Sequence, residues 1–541
     1  MDVSHIHTVI DIDALADWIG LQSQASRDAL RQKCSIWRKD ASDLHALSYQ
    51  FVSVREAIAS HPDVQKRIDG LFADFEKLET EVRTILEPSS ELEHESSAEL
   101  IFLNTILSPL NFVPFILTIW SYVRVYILPG MSILIPILMG ILPYFILRFM
   151  FHLHIPMNRY FAMMAGLLTG DVSGMMNPES CPTIGDLCSA FMHTLQTSPI
   201  QAIMKLGGVG ATVVQSLVQP YFSYRHLSKI NTILYTQSNA LTQLSDIYNT
   251  IEKELESIGM EMPRSPLPTV TCERQHMAHV LLDPVPYKIA IRSIGQIEAL
   301  WRLASHPDIT HVSWISQETP VFSLENTFDI HVDPLSRKPL TLNLGNKKHH
   351  ALLTGPNRGG KSTALRAMTL SALLAHTYGC SIGSAATMTP FHYMYAGLKA
   401  DDIPGTKSHF EREVDFTART LCADGPTLVF VDELFHTTNP PDALASCRLY
   451  CDQLWAKSSI ISVISTHLFE LVESANDDLV QRICCPATVD PDTGIVNYEY
   501  GLVDGICKVS SVYEILEKYG YTIPTESALN LVSKKSKDGQ K

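Results

Sequence analysis

Apolar residues recur at alternating spacings of three and four positions in two separate parts of the chain. Before residue 100 the stripe consists of Ile68, Leu71, Phe75, Leu78, Val82 and Ile85. After residue 225 it consists of Leu227, Ile230, Leu234, Leu241, Leu244, Tyr248, Ile251, Leu255 and Ile258. Only Gln237 interrupts the second stripe. Heptad-patterned helices show this spacing, so the pattern predicts two long helices, the second over about 225–258. An ordinary helical bundle is the alternative.

The chain between these stripes contains two apolar stretches separated by Arg124. No charged residue occurs from Leu100 to Val123, and none occurs from Val125 to Leu147. Either stretch is long enough to cross a membrane, because about 20 apolar residues span the hydrocarbon core as a helix. Pro129-Gly130 is a turn dipeptide, so the sequence predicts a transmembrane helical hairpin. A buried helical core is the alternative, because prolines within the stretches and Arg124 are costly in a membrane.

The C-terminal half contains a phosphate-binding loop. The apolar run 351–353 leads into T-G-P-N-R-G-G-K-S-T at 354–363, and a helical pattern follows. The spacing G-x-x-x-x-G-K-S curls backbone N–H groups around phosphate oxygens, places a lysine on the β- and γ-phosphates and places a hydroxyl on Mg²⁺. The following helix adds the dipole of its N-terminus. The candidate nucleotide-binding residues are Gly355, Pro356, Asn357, Arg358, Gly359, Gly360, Lys361, Ser362 and Thr363.

Two further apolar runs end in polar residues suited to phosphate chemistry. The run 427–431 ends in Asp432 and Glu433, and the run 460–465 is followed by Thr466 and His467. Asp432 is suited to the Mg²⁺ shell and Glu433 to orienting and deprotonating the attacking water. A neutral imidazole at the end of a strand suits a γ-phosphate sensor. Two acids that merely solvate the end of a strand are the alternative. The candidate catalytic residues are Glu433, His467 and Lys361, and the candidate magnesium ligands are Ser362 and Asp432.

These motifs resemble the ATPase domain of the MutS family. Members of this family are ABC-type ATPases best known from DNA mismatch repair. The resemblance covers residues 320–521. The family's T-G-P-N-x-G-G-K-S-T stands at 354–363, its D-D-…-S-x-F-…-E segment is similar to 401–413, and its T-H-x-x-E-L is similar to 465–471. Upstream, 294–300 resembles the helix that precedes this domain in the family.

The resemblance implies a composite active site in a dimer that uses ATP and Mg²⁺. Two ATPase domains would enclose the nucleotide, and Ser408 of one subunit would approach the γ-phosphate bound by the other. The partner is expected to be a second copy of the chain or a paralogue. The family's G-R-G-T-S reads F-H-T-T-N at 435–439, which indicates a divergent branch. Loss of both glycines would stiffen a loop that is expected to cross between subunits.

Charge and length argue against direct reading of DNA mismatches. The formal net charge is −15, whereas a large DNA-binding surface needs clustered Lys and Arg. The residues before the apolar region, about 100 in number, are too few for the mismatch-reading and connector domains of repair MutS proteins. The eleven cysteines include no C-x-x-C motif, so reduced intracellular thiols are expected.

The predicted fold is an α/β P-loop ABC-type ATPase domain, joined to an α-helical core and lever region with a transmembrane hairpin. The expected segments are a helical core with a first lever helix (1–99), a transmembrane hairpin (100–158), a helical and loop region near the membrane (159–224), a returning lever with core helices (225–318), the ATPase domain (319–525) and a basic disordered tail (526–541).

Two functions remain open from the sequence. One is an ATP-driven dimeric clamp that is anchored in an intracellular membrane through lipid contacts at 100–154, with its ATPase domain in the cytosol. The other is a soluble MutS-like protein of the nucleus or cytoplasm that binds DNA in mismatch or structure-specific repair. The apolar stretch from Leu100 to His154 is the sequence feature that separates them.

Overall fold

The chain folds into two compact units in a computed structural model. The structure describes residues 10–87, 99–104, 106–169, 218–345, 347–398, 409–436, 438–490, 495–512, 515–516 and 519–521. Unit 1 comprises Met1–Lys77, Thr250–Arg264 and Ile291–Lys541, and unit 2 comprises Leu78–Asn249 and Ser265–Ala290. Ser408, most of the region 159–224 and the basic tail lie outside the described residues.

Unit 1 contains three β-sheets. Their strands are β1 Ile309–Trp314, β2 Phe322–Thr327, β3 Leu340–Leu344, β4 His350–Thr354, β5 Cys380–Ile382, β6 Ala385–Met388, β7 Tyr393–Gly397, β8 Thr427–Asp432, β9 Ile460–Ser465, β10 Val480–Cys484, β11 Ala487–Val489, β12 Val496–Tyr498 and β13 Val503–Asp504. The largest sheet has the order β13-β10-β4-β9-β8-β7, in which β13 is antiparallel and the other strands are parallel. The second has the order β3-β2-β6-β1-β5, and β11 pairs with β12. This is the α/β architecture that the apolar runs predicted.

The three apolar runs of the sequence are the central strands β4, β8 and β9. Every residue of these strands is buried, as expected for parallel strands covered on both faces. The register pairs Leu353 with Ser465 and Asp432 with Ser465. Because the strands are parallel and aligned, the residues that follow them meet at one edge of the sheet.

Helices of unit 1, or partly of unit 1, accompany these sheets within the described residues. They are α1 Ile12–Trp18, α2 Gln24–Cys34, α3 Ala41–Ser60, α4 Pro62–Leu86, α11 Lys361–Tyr378, α12 His409–Leu421, α13 Pro440–Trp455 and α14 Phe469–Ser474. Helix α11, which follows the phosphate loop, is buried along most of its length. Gly360 at its start and Gly379 at its end both have left-handed backbone angles, with φ of 100° and 71°, which glycine adopts without steric cost.

The two heptad stripes lie on long helices, as predicted. The first occupies α4, and the second occupies α8 Gln219–Ser257; α9 Arg274–Leu282 and α10 Val285–Ser305 follow. All stripe residues are buried except Leu71 and Ile258, which are partly exposed. Three of the four boundaries between the two units fall within α4, α8 and α10, and the fourth lies between Arg264 and Ser265. The role of these helices as levers stays a prediction.

The apolar region of unit 2 forms one long helix rather than two helices joined at Pro129-Gly130. It comprises α5 Ile116–Tyr122, a π-helical turn Val123–Ile127, α6 Leu128–Phe145 and a second π-helical turn Ile146–Met150. The predicted turn at Pro129-Gly130 is therefore wrong. Pro129 lacks an N–H group within this continuous helix, and the π-helical turn before it shifts the hydrogen-bond register, so that the N–H of Leu128 donates to the carbonyl of Val123.

The chain leaves this helix at Phe151 and enters α7 Met157–Thr169. Among the described residues, one helical window, Ile116–Leu134, is long and apolar enough to cross a membrane. Its mean hydropathy is 1.3, and 22% of it is buried. A shorter apolar helix occupies Ile141–Met150.

Candidate functional site

The phosphate loop connects β4 to α11 through backbone conformations that its glycines permit. Gly355 and Gly360 have φ of 153° and 100°. A Cβ atom on Gly355 would lie 3.1 Å from the carbonyl oxygen of Cys485, so the residue that follows β10 packs tightly against the loop at this position. Arg358 adopts a left-handed φ of 66°, which costs energy for a residue with a Cβ atom. The loop is therefore held in a strained, open curve.

Lys361 lies at the centre of the site. Its Nζ donates hydrogen bonds to the carbonyl oxygens of Gly355, at 3.1 Å, and Pro356, at 3.2 Å. It also lies 3.1 Å from Nε2 of His467. The Lys361 side chain is buried inside the loop. The structure thus brings together Lys361 and His467, which the sequence analysis named as candidate catalytic residues; their catalytic roles stay a prediction.

Asp432 and Ser362 form the pair expected to hold Mg²⁺. Ser362 donates a hydrogen bond of 2.6 Å from Oγ to Oδ2 of Asp432, and Ser465 Oγ donates to the other carboxylate oxygen. Among the described residues no group of three or more His, Cys, Asp or Glu side chains could hold a metal ion. A hydroxyl and one carboxylate fit Mg²⁺, which is bound in nucleotide sites by one or two carboxylates together with substrate phosphates and water.

Glu433 lies next to His467 at the mouth of the site. Its Oε1 is 3.2 Å from His467 Nε2, and its backbone N–H donates to Ser465 Oγ at 3.0 Å. Glu433 has a left-handed φ of 53°, a conformation that persists only where its surroundings hold it. Since His467 Nε2 faces both Lys361 and Glu433, a neutral ring accepts from the lysine in one tautomer and donates to the carboxylate in the other.

A cavity of about 740 Å³ opens beside the loop. Besides loop residues it is lined by side chains that the sequence analysis did not find, namely Phe328, Asp329, Val332, Arg337, Leu340 and Tyr500. The Arg337 guanidinium lies 4.0 Å from the centre of the Phe328 ring, a cation–π arrangement. These residues come from the segment before the loop and from a segment far beyond it. No fixed spacing connects them to the loop, so only the fold identifies them.

Asp329 joins this cavity wall to the helix after the phosphate loop. Its side chain is almost fully buried. Its Oδ2 accepts from Arg366 Nε at 2.8 Å, and its Oδ1 lies 2.8 Å from Nδ1 of His331. Hydrogen bonds to charged groups are among the stronger polar contacts in proteins. Asp329 therefore fixes the position of Phe328 relative to α11.

Two titratable side chains, Cys485 in the cavity wall and His350 at the start of β4, are held neutral by burial. Burial raises the pKa of the Cys485 thiol, which lines the cavity, to about 12. Burial also lowers the pKa of His350 on β4 to about 3, and its Nδ1 lies 2.9 Å from Ser462 Oγ on β9. Neither group therefore adds charge near neutral pH.

In the loop after Glu433, Phe435 has a left-handed backbone conformation of the kind that glycine adopts most easily. Phe435 has a φ of 57°, is 3% exposed and lies 5.5 Å from the ring of Phe410. His436 Nδ1 lies 3.2 Å from Oε1 of Glu413 on α12. The ring contact and this pair connect the loop to α12; its stiffness relative to a glycine-rich loop stays a prediction.

The comparison with protein families concerns the part of the chain that builds this site. The match begins within β4 and includes the phosphate loop, Asp432, Glu433 and His467. Proteins of the matching family are generally ATPases that use ATP with Mg²⁺ and commonly act as dimers. Residues 351–527 match the family model of MutS domain V, and this match supports membership of the MutS family.

Proposed function

We propose that this chain binds and hydrolyses ATP with Mg²⁺ as a cofactor. The observation that carries the proposal is the convergence of five side chains beside one cavity. Ser362 and Asp432 are hydrogen-bonded to each other on one side, and Lys361, His467 and Glu433 lie in contact on the other. Mg²⁺, when bound, would neutralise charge on the phosphate oxygens. The arrangement suits phosphoryl transfer to water, which depends on positioning and charge stabilisation.

Each side chain has a distinct part in the proposed reaction. Lys361 leaves the loop carbonyls to contact the β- and γ-phosphates, while Ser362 and Asp432 hold the ion. Glu433 orients a water molecule and takes its proton as the oxygen bonds to the γ-phosphorus. The bond from that phosphorus to the β–γ bridging oxygen breaks, which gives ADP and phosphate. His467 contacts the γ-phosphate or the water through Nε2.

Removal of divalent cations is expected to stop turnover by the purified full-length protein. Ser362 and Asp432 supply too few ligands to bring the phosphates into place without the ion. Phosphate release from ATP, measured with Mg²⁺ and then with a chelator, should fall to background and recover when Mg²⁺ is added back. Turnover that persisted at full rate in the chelator would contradict the roles of Ser362 and Asp432.

We further propose that the active unit is a dimer in which the partner's Ser408 completes the site. Glu433 and His467 are partly exposed at the mouth of the site, with side-chain exposures of 21% and 39%, so this side is open to a second subunit. The match to MutS domain V supports dimerisation. Ser408 itself lies outside the described residues.

Mixing two inactive variants tests the shared site. Ser408→Arg removes the residue contributed in trans, and Lys361→Ala removes phosphate binding in cis. A mixed dimer keeps one intact site, so random mixing should restore about a quarter of wild-type turnover. Each variant alone supplies the control. No recovery, with mixed dimers verified by two affinity tags, would argue against a site shared between subunits.

The same protein is proposed to be anchored in an intracellular membrane through residues 100–154, with the ATPase domain in the cytosol. The exposed apolar surface of α5 and α6 supports this proposal. A soluble protein that binds DNA is the other candidate, and it is favoured by the family match alone. The net charge of −15 gives it no support.

A further inference from the structure

The helix from Ile116 to Met150 has almost no protein cover over its second half. Of residues 130–150, those with described side chains are exposed or partly exposed except Tyr144. Leu134, Leu138 and Phe149 are 55%, 53% and 67% exposed. A helix that is apolar on all sides is either buried in a large core or surrounded by lipid, and an exposed apolar surface of this extent is rare on soluble monomers.

The positions of the charges indicate a lipid bilayer as the surroundings. The 23 residues from Val125 to Leu147 carry no charge and are bounded by Arg124 and Arg148. At about 1.5 Å per residue this segment is about 35 Å long, against a hydrocarbon thickness of about 30 Å. A modest tilt accommodates the difference. A protein partner would cover one face of the helix, whereas the described side chains of residues 130–150 are exposed or partly exposed on nearly all sides.

Both arginines are paired with an aromatic ring four residues earlier on the same helix. Arg124 lies 5.8 Å from the ring centre of Trp120, and Arg148 lies 5.9 Å from that of Tyr144. Arg148 Nη1 also donates to the Tyr144 hydroxyl at 2.7 Å. Tryptophan and tyrosine concentrate at membrane interfaces, and arginine extends its guanidinium to that level. Each pair therefore marks one boundary of the apolar segment.

The segment beyond Arg148 is suited to the far headgroup layer. The connection 151–156 contains His152 and His154, and Arg159 follows in α7. No acidic residue occurs from residue 100 to residue 170, so no like charge repels anionic lipid. Tyr160 of α7 lies 5.3 Å from Tyr144, which places the start of α7 back against the helix.

We propose that residues 116–150 cross the bilayer as one helix, with Arg124 and Arg148 at opposite phospholipid headgroup layers and the connection 151–156 at the far layer. This rests on the proposed membrane anchoring and replaces the turn at Pro129-Gly130. The contact of Tyr160 with Tyr144 shows that the chain reverses after Met150.

Depth-dependent quenching tests the crossing on the full-length protein. A fluorescent amino acid replaces Ile119, Leu138 or Phe149, all of which are exposed, in vesicles of phosphatidylcholine with a minority of phosphatidylserine. Lipids carry a quencher either at the end of the acyl chain or near the headgroup. Chain-end quenching should be strongest at Leu138, and headgroup quenching should be strongest at Ile119 and Phe149. A turn at Pro129-Gly130 would instead place Ile119 at least as deep as Leu138.

Separate measurements distinguish failure of this proposal from failure of membrane anchoring. Flotation with vesicles and resistance to alkaline carbonate extraction are expected for the wild type. If the protein floats but Ile119 is quenched as deeply as Leu138, the single crossing is wrong and anchoring stands. If the protein neither floats nor resists extraction, both are wrong, and the soluble DNA-binding function becomes the better candidate. ATP turnover is measured in every sample, so the ATPase proposal is tested independently of the two membrane proposals.

Variants of Arg148 test its placement at the headgroup layer. Arg148→Leu removes the charge that keeps this end at the interface, so a probe at Phe149 should shift toward chain-end quenching. Arg148→Lys retains the charge and should leave the depth of Phe149 unchanged. Unaltered ATP turnover shows that unit 1 remains folded in both variants. Equal depths for the leucine and lysine variants, both as in wild type, would overturn the role of Arg148.

Discussion

Lys361→Ala is expected to abolish detectable ATP binding. The lysine is buried inside the loop, and no other cation lies within hydrogen-bonding distance of Gly355 and Pro356 among the described residues. Loss of one partner in a buried, charge-assisted contact costs about 2–5 kcal/mol. At about 1.4 kcal/mol per tenfold change, the dissociation constant should rise by about 30-fold to about 4,000-fold.

Thermal unfolding provides a readout of this loss that does not depend on turnover. ATP that binds only the folded state stabilises it by an amount that grows with the ratio of ATP concentration to the dissociation constant, so wild type should show a rise in Tm with ATP that the alanine variant lacks. Lys347→Ala is the matched control, because Lys347 is an exposed lysine shortly before β4. The control should keep the wild-type response. An alanine variant that was stabilised by ATP as strongly as wild type would mean that Lys361 does not contact the phosphates.

Local signals in the sequence predicted the parts of the site that lie at strand ends. The loop at 354–363, Asp432 and His467 each follow a short apolar run, and the parallel register of β4, β8 and β9 brings those ends together. Phe328 and Arg337 were missed because they lie in irregular segments, where no period or spacing relates them to the loop. Their position depends on tertiary contacts, such as the pair of Asp329 with Arg366.

The prediction of a turn at Pro129-Gly130 failed for a different physical reason. The turn propensity of this dipeptide is a local preference, which the preceding π-helical turn overrides by shifting the hydrogen-bond register before Pro129. The π-helical turn at Val123–Ile127 continues the chain directly into α6, so no break is needed. Sequence alone could not distinguish the two outcomes, because π-helical turns have no strong residue signature.

Glu433→Gln is expected to keep ATP binding and to lower turnover by about 10²–10⁴-fold, the usual contribution of a general base. Glutamine has nearly the same shape, and its carbonyl oxygen can still accept a hydrogen bond from His467, which lies 3.2 Å from Oε1 in wild type. It cannot take a proton from water at neutral pH. Binding and chemistry should therefore separate in this variant, in contrast to Lys361→Ala, which should lose both.

The Glu433→Gln variant should also accumulate as the ATP-bound dimer, because ATP hydrolysis, which ends that state, is blocked. Sedimentation of the glutamine variant with ATP, and of wild type with ADP, measures this difference in assembly. Glu325→Gln serves as the control, since Glu325 is an exposed carboxylate on β2 of the other sheet, and it should behave as wild type.

If Glu433→Gln hydrolysed ATP at the wild-type rate, the carboxylate would be only a solvated group at the end of β8. The strained backbone at Glu433, with its φ of 53°, would then need another explanation, because a merely solvating acid gains nothing from a conformation that costs about 1–3 kcal/mol.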